Sequence, residues 1–178
     1  MRVISGKYRG KPLLSPTNTK VRPTADIVKQ ALFTKLQFFV EDKNVLDLFC
    51  GSGALGIEAI SRGAKYVAFV DKDWDSITLT KRNLASIKEN APVFKCDYAV
   101  ALKKFNQKFD LILVDPPYAS GVYADCLEKI KQQNLLADDG IIVCEHDISE
   151  KITDEYFEIF DEKRYGSVYL TYLRNKQN

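Results

Sequence analysis

Asp115-Pro116-Pro117-Tyr118 places a carboxylate and an aromatic ring on a backbone that two prolines hold rigid. The prolines keep the preceding apolar run from flowing into a helix. The Asp115 carboxylate and the Pro116 carbonyl are therefore presented as fixed acceptors. Acceptors of this kind suit the N–H protons of a planar amino group, a weak nucleophile whose lone pair is drawn into its ring. Tyr118 adds a face on which a base can stack and be held out of its helix. Catalysis by such a set is mainly orientation of the amine against its electrophile, and it needs no metal.

A second group lies upstream, in Asp47-Leu48-Phe49-Cys50-Gly51-Ser52-Gly53-Ala54-Leu55-Gly56. Gly51, Gly53 and Gly56 satisfy G-x-G-x-x-G, and Asp71 follows Gly51 by twenty residues, which is formally a dinucleotide fingerprint. The glycines permit a tight strand-to-helix turn and close approach of backbone to a ligand. Asp47, four residues before Gly51, disfavours a pyrophosphate but suits water or an ammonium group. The pattern D-x-F-x-G-x-G resembles the first motif of S-adenosylmethionine-dependent methyltransferases. On the glycines alone, that reading and a nicotinamide oxidoreductase stand about even.

These residues need a scaffold, and the hydrophobic pattern supplies one. Apolar runs at 45–49, 66–71, 93–96, 109–115 and 140–146 read as strands. Between them, 54–62, 73–89, about 98–104 and about 122–134 read as helices, and 26–39 is a helix before the first strand with Thr24 as its N-cap. Continuous apolar strands alternating with helices predict a parallel sheet covered on both faces. Residues 156–164 and 167–174, joined across Tyr165-Gly166, predict a terminal antiparallel hairpin. An acid stands near the C-terminal end of each of the five strands: Asp47, Asp71, Asp97, Asp115 and Glu145. Ligands of such sheets bind beyond those ends, so the acids predict an electronegative rim. Asp71 is placed to grip two ribose hydroxyls. Asp97 is placed either to accept from an adenine amino group or to cap the helix that follows it.

With 178 residues, the chain is long enough for one domain with a real core, and a single domain is expected over 1–178. Apolar residues make up 46% and charged residues 28%, which excludes disordered and low-complexity classes. No apolar run approaches the ~20 residues of a membrane span. Cys50, Cys96, Cys126 and Cys144 form no C-x-x-C pair, and with one histidine a structural zinc site is not expected. Free thiols fit a cytoplasmic protein. The net charge of +2 hides an asymmetry, because residues 1–25 hold six bases and no acid. That basic N-terminal extension points to a polyanion partner.

The tetrapeptide Asp115-Pro116-Pro117-Tyr118 matches the D/N-P-P-Y/F signature of methyltransferases that act on exocyclic or amide nitrogens. The whole chain resembles a narrower family, the bacterial 16S ribosomal RNA guanine-N2 methyltransferases of the RsmD type. The resemblance runs through Arg2-Val3-Ile4-Ser5-Gly6 with Arg9-Gly10, Arg22-Pro23-Thr24 with Asp26, and Leu32-Phe33. It continues through the glycine loop with Glu58-Ala59 and Ser61-Arg62, and through Asp115-Pro116-Pro117-Tyr118. It implies an α/β, Rossmann-like S-adenosylmethionine-dependent methyltransferase fold with a seven-stranded, mostly parallel sheet. It implies methyl transfer to the N2 amine of a guanine in 16S rRNA of the small subunit, by a monomer without metal. Asp115, Pro116 and Tyr118 would be catalytic. Asp47, Phe49, Cys50, Gly51, Ser52, Gly53, Asp71, Lys72, Cys96, Asp97 and Thr24 would hold the cofactor. Arg2, Lys7, Arg9, Lys11 and Arg22 would contact RNA phosphates, which position an enzyme without reading sequence. Asp71 stands where the family often has Glu, and Ile27 and Thr34 replace a frequent basic residue and a frequent Asn.

Two other activities share parts of these patterns. A DNA adenine-N6 methyltransferase can use the same tetrapeptide, but this chain lacks an obvious extra domain for duplex recognition. A nicotinamide dehydrogenase has only the glycines in its favour. His146, the single histidine, is expected to be a strand-end residue satisfied by a neighbour. Trp74 is expected either near the adenine or packed on its own helix. Tyr165, Tyr169 and Tyr172 are expected to be packing residues.

Overall fold

The structure, a computed structural model, describes residues 1–16, 23–117 and 121–177. Arg22 and Tyr118, and the side chain of Thr24, lie outside what is described. The element order is α1 (Pro23–Lys35), β1 (Asn44–Asp47), α2 (Ala54–Ser61), β2 (Tyr66–Asp71), α3 (Trp74–Ser86), β3 (Val93–Lys95), α4 (Tyr98–Lys104), β4 (Phe109–Val114), α5 (Tyr123–Gln132), β5 (Leu136–Asp147), β6 (Phe157–Tyr165) and β7 (Val168–Asn175). One seven-stranded sheet runs in the order β3-β2-β1-β4-β5-β7-β6. The first five strands are parallel, and β7 pairs antiparallel with both β5 and β6. The strand order reverses beside β1, between β1 and β4, which is where such a sheet opens a crevice for a ligand.

The sheet is buried on both faces, as continuous apolar strands require. Val45, Phe69, Leu111 and Val143 pack with Val28, Phe33 and Ile57 on one side. Leu46, Val70, Ile112 and Cys144 pack with Leu102, Cys126 and Ile130 on the other. Gly56 lets α2 lie against β2, since a Cβ there would stand 2.3 Å from Cε1 of the buried Phe69. Gly56→Ala is therefore expected to cost about 1–3 kcal/mol through overpacking. The check is a thermal melt, and an unchanged midpoint would show that Phe69 gives way freely.

Two expectations are corrected. The first helix begins at Pro23, so Thr24 lies in its first turn rather than capping it; proline suits the first helical position because its missing N–H would be unpaired there anyway. The fifth strand begins at Leu136, not 140, with a register shift between Phe109 and Leu111 that accommodates the polar Asp138-Asp139 stretch. Residues 1–13 of the basic N-terminal extension are folded onto the body. Arg2 bridges Pro12, the Val3 N–H donates to the Lys11 carbonyl (2.9 Å), and Val3 and Leu13 enter the core.

His146 is buried, with Nε2 2.8 Å from Thr171 Oγ1 and its ring stacked on Tyr169. Tyr172 is fully buried, while Trp74 is 63% exposed with the Lys95 ammonium over its ring. All four cysteines are free. Among the described residues no helix is long and apolar enough to cross a membrane.

Candidate active site

A cavity of about 920 Å³ opens beyond the C-terminal ends of β1 to β5. All five rim acids line it, each supplied by a different strand end: Asp47, Asp71, Asp97, Asp115 and Glu145. Phe49, Cys50, Gly51, Ser52, Lys72, Cys96 and Pro116 also line it. Gly53 does not line it. With φ of 78° and its N–H donating to the Cys50 carbonyl at 2.7 Å, Gly53 makes the turn. A Cβ there would also meet Thr80 at 3.0 Å, so the loop itself needs the freedom of glycine. Arg2, Lys7, Arg9 and Lys11 are exposed on the folded N-terminal segment, and Lys7 is held by Glu89 at 3.2 Å.

Three of the acids have structural tasks. Asp47 is buried, and its Oδ2 accepts the Gly56 N–H at 2.9 Å, tying β1 to the start of α2. Burial, reinforced by Asp115 and Asp71, pushes its carboxyl up to about 7. A buried carboxyl in that condition favours a cation beside it. Asp71 accepts from the Gly51 N–H on one oxygen and the Asp73 N–H on the other, both at 2.9 Å. Each oxygen keeps a second lone pair for a ligand hydroxyl. Asp97 caps α4 through the Ala99 N–H at 2.9 Å while still lining the cavity, so both of its expected roles hold a place in the geometry.

Asp115 and Glu145 differ from these three. Burial and the neighbouring Glu145 push the Asp115 carboxyl well above the usual carboxylate range, and burial pushes Glu145 up to about 7. Burial also raises the thiols of Cys50 and Cys96, so neither is a ready nucleophile.

Sequence reasoning left Tyr98 out of the site. It lines the cavity, its hydroxyl donates to Asp125 at 2.6 Å, and its ring lies 5.3 Å from that of Phe49. The signal was its place directly after Asp97, at the first position of a helix that starts on the rim. Lys29 of α1 and Ser76 of α3 also line the cavity, although no motif marks them.

An acid rim with an aromatic pair suits a ligand that carries positive charge, hydroxyls and an amino-bearing ring. It is a poor match to a diphosphate. A family model described as Conserved hypothetical protein 95 matches residues 1–174. Ribosomal RNA small subunit methyltransferase D of Escherichia coli K12 is 32% identical over 181 residues, spanning 99% of this chain and 91% of its own. The chain belongs to the ribosomal RNA small subunit methyltransferase D family. YlbH of Bacillus subtilis is 40% identical over 152 residues, 83% of each chain. The solved structure of the Escherichia coli protein YhhF superposes with a TM-score of 0.87 at 32% identity, over 99% of both chains. Membership fixes the architecture as the Rossmann-like fold of S-adenosylmethionine-dependent methyltransferases, with the C-terminal antiparallel hairpin that the strand pattern predicted.

Proposed function

We propose that this chain methylates the exocyclic N2 amine of a guanine in 16S rRNA of the small subunit, with S-adenosylmethionine as donor. The observation that carries the reading is that Asp115 and Pro116 share one cavity with Asp47, Asp71 and the glycine loop. When bound, S-adenosylmethionine would supply an electrophilic methyl carbon, with the electron pair of its carbon–sulfur bond left on sulfur as nitrogen takes the methyl group, and the proton that nitrogen then loses would pass to the Asp115 carboxylate and on to solvent.

The residues of the chain do the rest. Asp71 receives the ribose hydroxyls, and Asp47 faces the positively charged amino-acid end. Asp97 accepts from the adenine amine, and Phe49 and Tyr98 wall that ring. At the other end, the Asp115 carboxylate and the Pro116 carbonyl accept the N2–H protons and turn the nitrogen toward the methyl group. Tyr118 stacks on the flipped base. Thr24 and Arg22 belong to the same proposal, as cofactor and RNA contacts. Orientation of this kind is the main catalytic resource of a reaction that needs no metal.

The deciding experiment is label transfer from methyl-labelled S-adenosylmethionine to unmethylated small subunits, naked 16S RNA and duplex DNA, each then digested to nucleosides. Label in N2-methylguanosine is the expected result. Label in N6-methyladenine, or in no nucleoside, would overturn the reading.

RNA contact by the N-terminal segment is part of the proposal. Arg9 and Lys11 are exposed on a segment that is fixed to the body, and no ion pair occupies either among the described residues. Reversing both charges to Glu is expected to weaken RNA binding and to lower the slope of log affinity against log salt by about 2. An unchanged slope would mean that these two side chains meet no phosphates.

A further inference from the structure

Asp115 and Glu145 are neighbours across the sheet. β4 and β5 are parallel with Val114 opposite Cys144, so the next residue of each strand is one of the two acids. Both line the cavity. The other three rim acids each accept from a backbone N–H, whereas among the described residues no donor reaches the carboxylate of Asp115 or Glu145. Glu145 is held in place from behind. Its carbonyl accepts the Tyr123 hydroxyl at 2.6 Å, and its backbone is paired with Leu170 of β7.

Resting on the guanine reading above, we propose that Glu145 determines base specificity by accepting the N1–H of the target guanine while Asp115 accepts from its N2 amine. Guanine presents N2–H and N1–H side by side, two donors in a row. Two adjacent carboxylates are two acceptors in a row. Adenine offers an amine donor beside the lone pair of N1, and cytosine an amine donor beside the lone pair of N3. In both, the second atom would point its lone pair at the Glu145 oxygen. Neighbouring carboxylates in a recessed cavity tend to share a proton, and guanine brings the two donors that displace it. A site built to receive an N–H rejects a base that lacks it, because the buried acceptor is then left unpaired. Glu145 is thus the reader of the Watson–Crick edge, and Asp115 the holder of the reacting nitrogen.

The test uses guanosine and 2-aminopurine riboside as competitors of methyl transfer to naked 16S RNA. The second nucleoside keeps the N2 amine and replaces N1–H by a lone pair. Wild-type protein is expected to be inhibited on the order of 10–100-fold more strongly by guanosine. Glu145→Leu should bring that ratio close to one by weakening guanosine alone. Glu145→Gln, whose amide oxygen still accepts, should retain part of it. Thermal melts and calorimetric binding of S-adenosylmethionine show that each variant is folded with its cofactor site intact. A wild type that does not prefer guanosine, or that guanosine fails to inhibit, overturns the proposal without any variant. So does a Glu145→Leu ratio equal to that of the wild type. The labelled product separates the two readings. N2-methylguanosine with an unchanged ratio removes only the role of Glu145, whereas label in another nucleoside removes both.

Discussion

Asp115→Ala is expected to lower methyl transfer by on the order of 10²- to 10³-fold while leaving S-adenosylmethionine affinity nearly unchanged. The two effects separate because the acids divide by strand. The proposed cofactor contacts lie at the ends of β1, β2 and β3, and Asp115 lies on the opposite side of β1, one residue beyond β4. Removing its carboxylate takes away an acceptor for the amine without touching the Asp71 or Asp97 hydrogen bonds. Asp115 helps raise the proton affinity of Asp47. Its loss lets Asp47 ionise more readily but also removes a nearby acid, so the two remote effects oppose each other and cofactor binding should stay nearly level. Asp115→Asn, which keeps one acceptor oxygen, should fall between alanine and wild type. Label transfer at saturating S-adenosylmethionine and calorimetric titration check the pair of effects. Transfer by Asp115→Ala within a few-fold of wild type would show that the amine is held by other groups.

The site was legible where chemistry and secondary structure coincide. Strands buried on both faces read as unbroken apolar runs, so their ends, and the acids at those ends, could be located from sequence. Asp47, Asp71 and Asp115 then followed from the glycine loop and the Pro116-Pro117 stop. Legibility failed where a local signal pointed away from a long-range partner. Asp138-Asp139 precede the strand predicted at 140–146, yet both residues lie inside β5. The six bases of residues 1–25 read as a polyanion contact, and that count says nothing of Val3 and Leu13, which are core residues. Charge counting does not reveal two apolar side chains that close a hairpin. Tyr98 was hidden by its neighbour, because Asp97 accounts for that position as a helix cap. Glu58, in the otherwise apolar ALGIEAIS, was the one sequence clue that the N-terminal segment is docked. A lone acid on a buried helix needs donors, and two of its three donors are more than fifty residues away.

That clue gives the largest expected effect on stability. Glu58→Ala should destabilise the protein by about 3–5 kcal/mol, the scale for breaking a buried ion pair from one side. Glu58 is fully buried and accepts from the Ile4 N–H at 2.8 Å, the Ser5 N–H at 3.0 Å and Arg62 Nε at 2.9 Å. Lys29 Nζ lies 3.7 Å away, is itself only 3% exposed, and donates to the Arg2 carbonyl at 2.6 Å. Burial already lowers the Lys29 ammonium from its ordinary range, and Glu58 is the main group opposing that. Without the carboxylate, Lys29 loses its compensating charge and two backbone N–H groups lose their acceptor. Glu58→Gln keeps one acceptor oxygen and should be less damaging, though its amide cannot neutralise Lys29. Chemical denaturation of the three proteins measures the order. Hydrogen exchange at Ile4 and Ser5 locates the loss, which should appear there before it appears in the sheet. If the alanine variant is as stable as wild type, the segment is held by its other contacts, the apolar Val3 and Leu13 and the hydrogen bonds of Lys7 and Tyr8 to Ser61. The link reaches the candidate site, because Lys29 lines the same cavity as Asp47 and Glu58 sits on the helix that follows the glycine loop. Undocking the segment that carries Arg9 and Lys11 would thus loosen the proposed RNA contact and one wall of the proposed cofactor site together.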